Sequence, residues 1–526
     1  MSIAAWEEEL GNDVDRDFIL NGLKNGFDII DGDASPTPVH CENHRSAMPA
    51  SAYYNQATRQ VLKEIEKGNY IVVSQPPEII SPIGVIPKPD GGVRLIHDCS
   101  RPDGLSVNDY CTADWKQKFS TVDDAASLVT PGCFMAKVDL KSAYRSVPIS
   151  THSQRVTGLK WQFGKQTVYL RDTKLCFGSK LAPGIFHRLT QAVKRMLKRH
   201  GLRATVVYLD DFFIKADSFE DCLLALNTLI SLLRKLGFQI NWNKVVDPTT
   251  RITFLGIEID SMEMCLRLPD EKLHQVRDEL LHFQTRKRAS KKQLQSLAGK
   301  LNFCASVIYG GRVYSRRIID TINMLKADDH KIKLTGGLRA DISWWQAFMA
   351  HFNGKSLLLD KHPIQSVFTD SCNLAAGGFF EGDWFYLNWD LDWPLVSQLH
   401  INSKELLAVY LAVCRWAPHW QNKRIYIQSD NVTTIAAINR GTSRNPFLMA
   451  CLRRLFWLSA QFNFHITARH LPAVVKTLAD NSSRLHEPNK FVQVLPFVVP
   501  SPLQYHMSQT SLSFLFPRLQ GQRETV

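Results

Sequence analysis

Between residues 51 and 260, short β-branched and aromatic runs alternate with stretches of helical apolar spacing. Ile185–His200 has Pro183 just before it, Gly201 just after it and basic residues in its last turn, which predicts a helix. Thr205–Lys215 reads as two β-rich arms around Asp210 and Asp211, a hairpin with the acid pair at its tip. Phe134–Ile149 supplies another strand, carrying Asp139. From 261 to 345 the pattern turns helical, and Ser290-Lys-Lys-Gln293 predicts a capping box ahead of Leu294, Leu297, Ala298 and Leu301. A second α/β unit follows from 364 to 487. Its strands Ser366–Ser371 and Arg424–Asn431 end near Asp370 and Asp430, and a helix opening at Asn402 is apolar on nearly all sides, hence predicted buried. Residues 1–50 are acidic and turn-rich and predict a loosely ordered lead-in with one short helix near 15–25. Residues 488–526, rich in Ser, Pro and Gln, read as a tail. The expected partition is therefore 1–50, 51–260, 261–363, 364–487 and 488–526.

Composition changes this picture in three ways. A chain of 526 residues with 44% hydrophobic and 21% charged content has enough apolar material for several cores. The net charge of +13 conceals an asymmetry: residues 1–50 hold ten acids against Arg16, Lys24 and Arg45, a balance of −7 that leaves +20 on the remainder. So basic a body suits a phosphate-rich partner. Arg286, Lys287, Arg288, Lys291 and Lys292 crowd the start of one helix, either as a solvated face or as a backbone-phosphate contact. The eleven cysteines form no CxxC pair, which argues for a reducing, intracellular setting and against a zinc knuckle or a disulfide framework. No apolar run is long enough to suggest a membrane span, so a soluble protein without a membrane partner is expected.

Candidate chemistry lies in two sets of carboxylates. An acid pair in a turn has a plain reading as turn chemistry. Asp139 on a separate strand adds a second one. Phosphoryl transfer by the two-metal route needs hard oxygen ligands holding two Mg²⁺ about 3.5–4 Å apart, and Asp139, Asp210 and Asp211 would supply them. In the C-terminal unit, Asp370, Glu405 and Asp430 make a similar series, although Glu405 stands three residues after Asn402, the spacing of a capping box.

Tyr208-Leu-Asp-Asp211 and Val138-Asp-Leu-Lys-Ser-Ala-Tyr-Arg-Ser-Val-Pro148 closely resemble the catalytic motifs of retroelement reverse transcriptases. The resemblance continues in family order through Ile86–Asp98, Leu175–Phe186, Leu236–Lys244 and Phe254–Glu258. It implies a right-hand polymerase with fingers, palm and thumb, followed by an RNase H-like α/β domain, in the α/β (α+β) class. It implies RNA- and DNA-templated DNA synthesis with Mg²⁺, or Mn²⁺ in its place, on an RNA template, a DNA primer and dNTPs.

Residue by residue, Lys88 and Arg94 would flank the Asp90-Gly-Gly92 turn and grip the triphosphate, or else decorate an edge strand. Tyr144 would exclude a 2′-hydroxyl, or else be a core tyrosine. Phe177 and Gly178 stand in the nucleotide-facing segment, where Phe177 points away from retroviruses, and Lys244 closes the late palm motif.

The order Asp370, Glu405, Asp430, then His470-Leu-Pro and Leu478–Arg484, resembles retroelement RNase H domains. Asp480 would be the fourth metal-binding carboxylate. His470 would aid product release or proton transfer, or else be a surface histidine, and the partner would be an RNA–DNA hybrid. Ser296–Phe303, Gly310–Arg317, Pro82–Pro87 and Asp17–Phe27 look most like DIRS-type (tyrosine-recombinase) elements, with gypsy-like elements second. A degenerate or domesticated copy that binds nucleic acid without polymerising is the rival reading.

Overall fold

A computed structural model describes residues 1–88, 91–113, 115–308, 310–351, 353–356, 364–421, 423–470, 483, 484 and 486. The chain divides into two compact units, Met1–Leu255 and Gly256–Val526.

The first unit begins with helices α1 (Ile3–Leu10) and α2 (Arg16–Asn25). Helix α2 falls on the short helix expected near 15–25, while α1 and the packing of both helices correct the expectation of a loosely ordered lead-in. Trp6 and Leu10 are fully buried, and the Trp6 indole donates to the Leu236 carbonyl at 3.1 Å. A hairpin of β1 (Ile83–Pro87) and β2 (Val93–His97) follows, with Ile86 opposite Arg94. Next come β3 (Phe134–Asp139), the antiparallel pair β4 (Gly158–Phe163) and β5 (Gln166–Asp172), and helix α3 (Ala182–Arg199). Helix α3 starts earlier than its apolar pattern suggests and takes Pro183 into its first turn, where no amide donor is needed.

Asp13 and Asp15, in the link between these helices, find their partners on α3. Arg195 binds Asp13 through two nitrogens at 2.7 Å and reaches Asp15 at 2.8 Å, while Arg188 holds Asp15 at 2.6 Å. The acidic segment thus neutralises the back of a basic helix, and part of the positive excess of the body is spent inside the fold. Charge-paired acids beside an apolar stripe of Trp6, Leu10, Ile19, Leu20 and Leu23 explain why this segment is ordered.

Strands β6 (Thr205–Tyr208) and β7 (Asp211–Ala216), helix α4 (Phe219–Lys235) and β8 (Val246–Thr249) complete the central layer. The sheet is antiparallel in the order β8-β3-β7-β6. Helices α3 and α4 bury Ile185, Phe186, Leu189, Leu226, Leu229 and Leu233 in the core that includes Val138, Phe212 and Ile214.

In the second unit the capping box is present: Gln293 N donates to Ser290 Oγ at 3.2 Å, and Ser290 N donates to Gln293 Oε1 at 2.9 Å, opening α5 (Lys291–Cys304). The basic cluster is not purely helical. Strand β9 (Arg288–Ser290) pairs antiparallel with β10 (Lys331–Lys333), Arg288 opposite Lys333.

Farther on, β11 (Ile364–Ser371), β12 (Ala375–Phe380) and β13 (Asp383–Asn388) form an antiparallel meander. Helix α6 (Ile401–Trp416) then crosses to β14 (Arg424–Ser429), which lies parallel to β11; after α7 (Pro446–Phe462), β15 (His465–His470) lies parallel to β14. The order is β13-β12-β11-β14-β15. Helix α6 is buried along almost its whole length, as its all-round apolar sequence predicts. No helix among the described residues is long and apolar enough to cross a membrane.

Candidate active sites

Pairing of β3 with β7 sets Asp211 directly opposite Asp139. The hairpin tip between β6 and β7 has two central residues, Leu209 and Asp210, and Leu209 is held at φ +51°. A positive φ costs a bulky side chain of the order of 1 kcal/mol or more, so this tip is a strained position, of the kind that clusters at functional sites. The Leu140 amide donates to the Asp210 carbonyl at 3.1 Å, tying the tip to the end of β3. Three carboxylates from two sequence-distant segments therefore share one end of the sheet.

Their electrostatics carry the mark of that crowding. Burial, followed by the charges of Asp210 and Asp139, pushes the Asp211 carboxyl up to about 6. Burial and Asp139 also raise Asp210, with Lys244 and Arg94 pulling the other way. Asp139 itself accepts from Asn241 Nδ2 at 2.8 Å and from Lys244 Nζ at 3.1 Å. Excess negative charge of this kind is relieved by a divalent cation with oxygen ligands, so the residues fit a hard metal.

The acids open onto a cleft of about 580 Å³ lined by Lys88, Arg94, Tyr144, Phe177, Asp210 and Lys244, among others. Lys88 lies just after β1, and its amide donates to the Gly92 carbonyl at 2.8 Å; Asp90 of that turn lies outside the described residues. The Arg94 guanidinium carbon is 5.5 Å from the Phe177 ring centre. Tyr144 packs 5.0 Å from Phe177 and 5.2 Å from Phe186, and burial raises its hydroxyl to about 12. It is at once a wall of the cleft and the edge of the core. Gly178 is explained by packing: at φ +115°, a Cβ there would stand 1.9 Å from the His97 carbonyl oxygen, so only glycine lets the loop approach β2.

In the second unit, Phe368 pairs with Gln428 in parallel register, so Asp370 and Asp430, two residues on, emerge side by side at the same sheet end. Glu405 on α6 completes the group, with ligand oxygens of all three within 4.8 Å of one another. The capping-box alternative for Glu405 does not hold: α6 begins at Ile401 and its N-cap is His400, whose side chain accepts from the Asn402 amide. His470, at the end of β15, pairs with Ser429 and stands exposed one residue from the level of Asp430. Asp480 lies outside the described residues. A clustered, partly buried carboxylate trio again fits a divalent metal.

Two side chains on the acids were not singled out from sequence. Asn241 was within a quoted motif but offered no charge to notice. Ser483, whose Oγ donates to Asp370 Oδ2 at 2.5 Å, is one of two adjacent serines with no period to select it.

The model of the family "Reverse transcriptase (RNA-dependent DNA polymerase)" matches residues 86–259. The Pro-Pol polyprotein of feline foamy virus is 27% identical over 239 residues, 45% of this chain and 19% of that one. The enzymatic polyprotein of figwort mosaic virus is 23% identical over 396 residues, 69% of this chain and 52% of that one. The Pol polyprotein from the Drosophila melanogaster transposon opus is 26% identical over 182 residues, 34% of this chain and 17% of that one. The chain thus spans well under two thirds of these relatives.

Among solved structures, the foamy viral protease-reverse transcriptase in complex with an RNA/DNA hybrid superposes with a TM-score of 0.55 at 17% identity, over 90% of this chain and 64% of that one. The same enzyme in complex with dsDNA gives the same score over 98% of its chain. The fold is accordingly that of a right-hand polymerase followed by an RNase H-like α/β domain. Residues 86–259 are a reverse transcriptase domain of the kind carried by retroviral, pararetroviral and transposon polyproteins.

Proposed function

We propose that this chain is an RNA-directed DNA polymerase, also active on DNA templates, with an RNase H activity in its C-terminal unit. The carrying observation is the pairing of Asp139 with Asp211 at a strained hairpin tip that faces a cleft whose lining includes Lys88, Arg94, Lys244, Tyr144 and Phe177. Magnesium held by Asp139, Asp210 and Asp211 would supply the charge that activates a primer hydroxyl and steadies a leaving pyrophosphate. The chain's own part is positional. Lys88 and Arg94 bind the triphosphate of an incoming dNTP, and Tyr144 closes the space beneath the sugar. Phe177 walls the cleft, with Arg94 beside its ring, and Lys244 offsets charge at Asp139.

Asp370, Glu405, Asp430 and Asp480 would hold the metals of the nuclease, with His470 at its rim, acting on the RNA strand of a hybrid. The matched relatives are polyproteins, which supports reading the domain roles as fingers and palm over 51–260, thumb and connection over 261–363, and nuclease over 364–487. The finer placement among DIRS-type elements rests on the motifs at 17–27, 82–87, 296–303 and 310–317. The test is incorporation of radiolabelled dNTP on a primed RNA template with and without Mg²⁺. Magnesium-dependent extension is expected, and its absence from a folded preparation would favour a chain that only binds nucleic acid.

A further inference from the structure

In the wall of the same cleft, whose lining includes His97, Asp172 and Cys176, a second group of ligating side chains meets from three separate segments. His97 ends β2 and Cys99 lies two residues beyond, Asp172 ends β5, and Cys176 sits on the loop that leads to Phe177 and Gly178. All four are buried, His97 at 3% exposure and Asp172 and Cys99 at 0%. One ligand atom each from His97, Asp172 and Cys176 lies within 4.8 Å of the others. Cys99 stands outside that trio, but its Sγ is 3.7 Å from Cys176 Sγ, close enough to supply a fourth ligand by a small shift.

Three features of this group call for a ligand. Neither ring nitrogen of His97 is in an aligned hydrogen bond, although both are fully enclosed. The ring faces the Cys176 thiol, a weak hydrogen-bonding partner, so a fully buried imidazole is left poorly satisfied. The separation of the sulfurs is also telling: two thiolates bound to one tetrahedral zinc at about 2.3 Å stand about 3.8 Å apart. Finally, Asp172 is held in place by its neighbours. Its Oδ2 accepts from Arg145 Nη1 at 2.6 Å and its Oδ1 from the Lys174 amide at 3.0 Å, contacts that fix the carboxylate while each oxygen keeps a further lone pair. Glu64 shares the same guanidinium, so two buried carboxylates stand against one fixed cation.

We propose that His97, Cys99, Asp172 and Cys176 form a binding site for one borderline-soft divalent cation of the zinc class, distinct from the oxygen-lined sites of the two carboxylate sets. Mixed sulfur and nitrogen ligands select zinc over magnesium. A closed four-ligand site is structural. It pins the end of β2 and the end of β5 to the 175–178 loop, the loop that carries Phe177 and seats Gly178 against the His97 carbonyl. This inference stands whether or not the chain polymerises.

Cobalt is the probe, because Co²⁺ takes tetrahedral zinc sites and reports thiolate ligation by a near-ultraviolet charge-transfer band. Chelator-stripped full chain titrated with Co²⁺ under reducing conditions should develop that band, with tetrahedral d–d bands, to one equivalent. Cys176→Ser and His97→Ala should abolish the tetrahedral spectrum, and Cys99→Ser should about halve the charge-transfer intensity. No band in the folded wild type, or a spectrum that survives Cys176→Ser with His97→Ala, overturns the proposal.

Should those variants not fold, cysteine alkylation of the wild type, mapped by mass spectrometry, decides. Zinc should protect Cys99 and Cys176 together, reversibly by chelator, while buried Cys133 is unchanged. Equal alkylation with and without zinc overturns the site, and so does protection released by dithiothreitol and not by chelator, which would mark a disulfide.

Discussion

Asp211 offers a way to measure the charge crowding at the hairpin tip. Its folded-state carboxyl titrates at about 6, against an ordinary value of 3.8. Between those values the folded chain holds more protons than the unfolded one, so metal-free stability falls as pH rises through that window; above about 6 the full cost of the ionised group is present. Asp211→Asn keeps the shape of the side chain and removes the charge. At about 1.4 kcal/mol per pH unit the shift corresponds to roughly 3 kcal/mol, and water at the partly open tip screens it to about 1–2 kcal/mol. In EDTA at pH 8 the variant should therefore be more stable than wild type, raising the melting temperature by about 3–6 °C. At pH 4 the difference should vanish, because the wild-type carboxyl is then protonated in the fold. Magnesium should stabilise wild type at pH 8 and the variant much less. The assay is thermal unfolding followed by circular dichroism at four or five pH values. A variant that is equally or less stable than wild type at pH 8 would refute the reasoning, since no repulsion would then have been removed.

Other consequences are equally open to measurement. Tyr144→Ala should lower the preference for dNTP over rNTP by about 10- to 100-fold in single-nucleotide incorporation, because it opens the space a 2′-hydroxyl needs; an unchanged ratio would leave Tyr144 a core residue only. Asp210→Asn with Asp211→Asn should abolish extension and spare cleavage of a preformed hybrid, whereas Asp430→Asn should do the reverse; loss of both activities in either folded mutant would mean one composite site. Arg195→Ala should cost about 1–3 kcal/mol in urea unfolding by leaving Asp13, whose side chain is 1% exposed, without its cation. A change below about 0.5 kcal/mol would show that the N-terminal helices are held by their apolar stripe alone.

How far the sequence revealed these sites depended on whether the signal was local. The hairpin at 205–215 was legible because its arms, its tip and its acids are contiguous; the structure starts it at the same Thr205 and ends it one residue later, and corrects the tip to Leu209 and Asp210, with Asp211 opening the second strand. Asp139 and Asp370 were legible as acids at strand ends. The order of the N-terminal segment was hidden, because what holds Asp13 and Asp15 lies some 180 residues away on α3, and ion-pair partners at that distance leave no periodic trace. Glu405 was ambiguous for a related reason: Asn402 and Glu405 have the spacing of a cap, but His400 takes the capping position two residues earlier. The His97, Cys99, Asp172 and Cys176 group was invisible for the same cause at shorter range, since its members come from three segments whose meeting is decided by the Gly178 loop.

In both units, strand register does the work that the acids alone cannot. Asp139 faces Asp211 only because Val138 pairs with Phe212 and Ala136 with Ile214, buried residues in a strand pair packed on both faces. Asp370 and Asp430 emerge together only because Val367 pairs with Ile427 and Phe368 with Gln428. Side chains alternate faces with each residue, so a slip of one position would turn Asp139 to the opposite face of the sheet and bury the wrong set of side chains. The apolar core therefore penalises the misplacement that would disable the site. The same argument accounts for the strain at Leu209: a two-residue tip fixes the register of β6 against β7, and a longer, relaxed loop would leave the acid pair free to slide. The carboxylates repel one another and cannot hold themselves together. Their convergence is maintained by neutral neighbours along the same strands, so substitutions that disturb Val138 or Phe212 should weaken catalysis as well as stability.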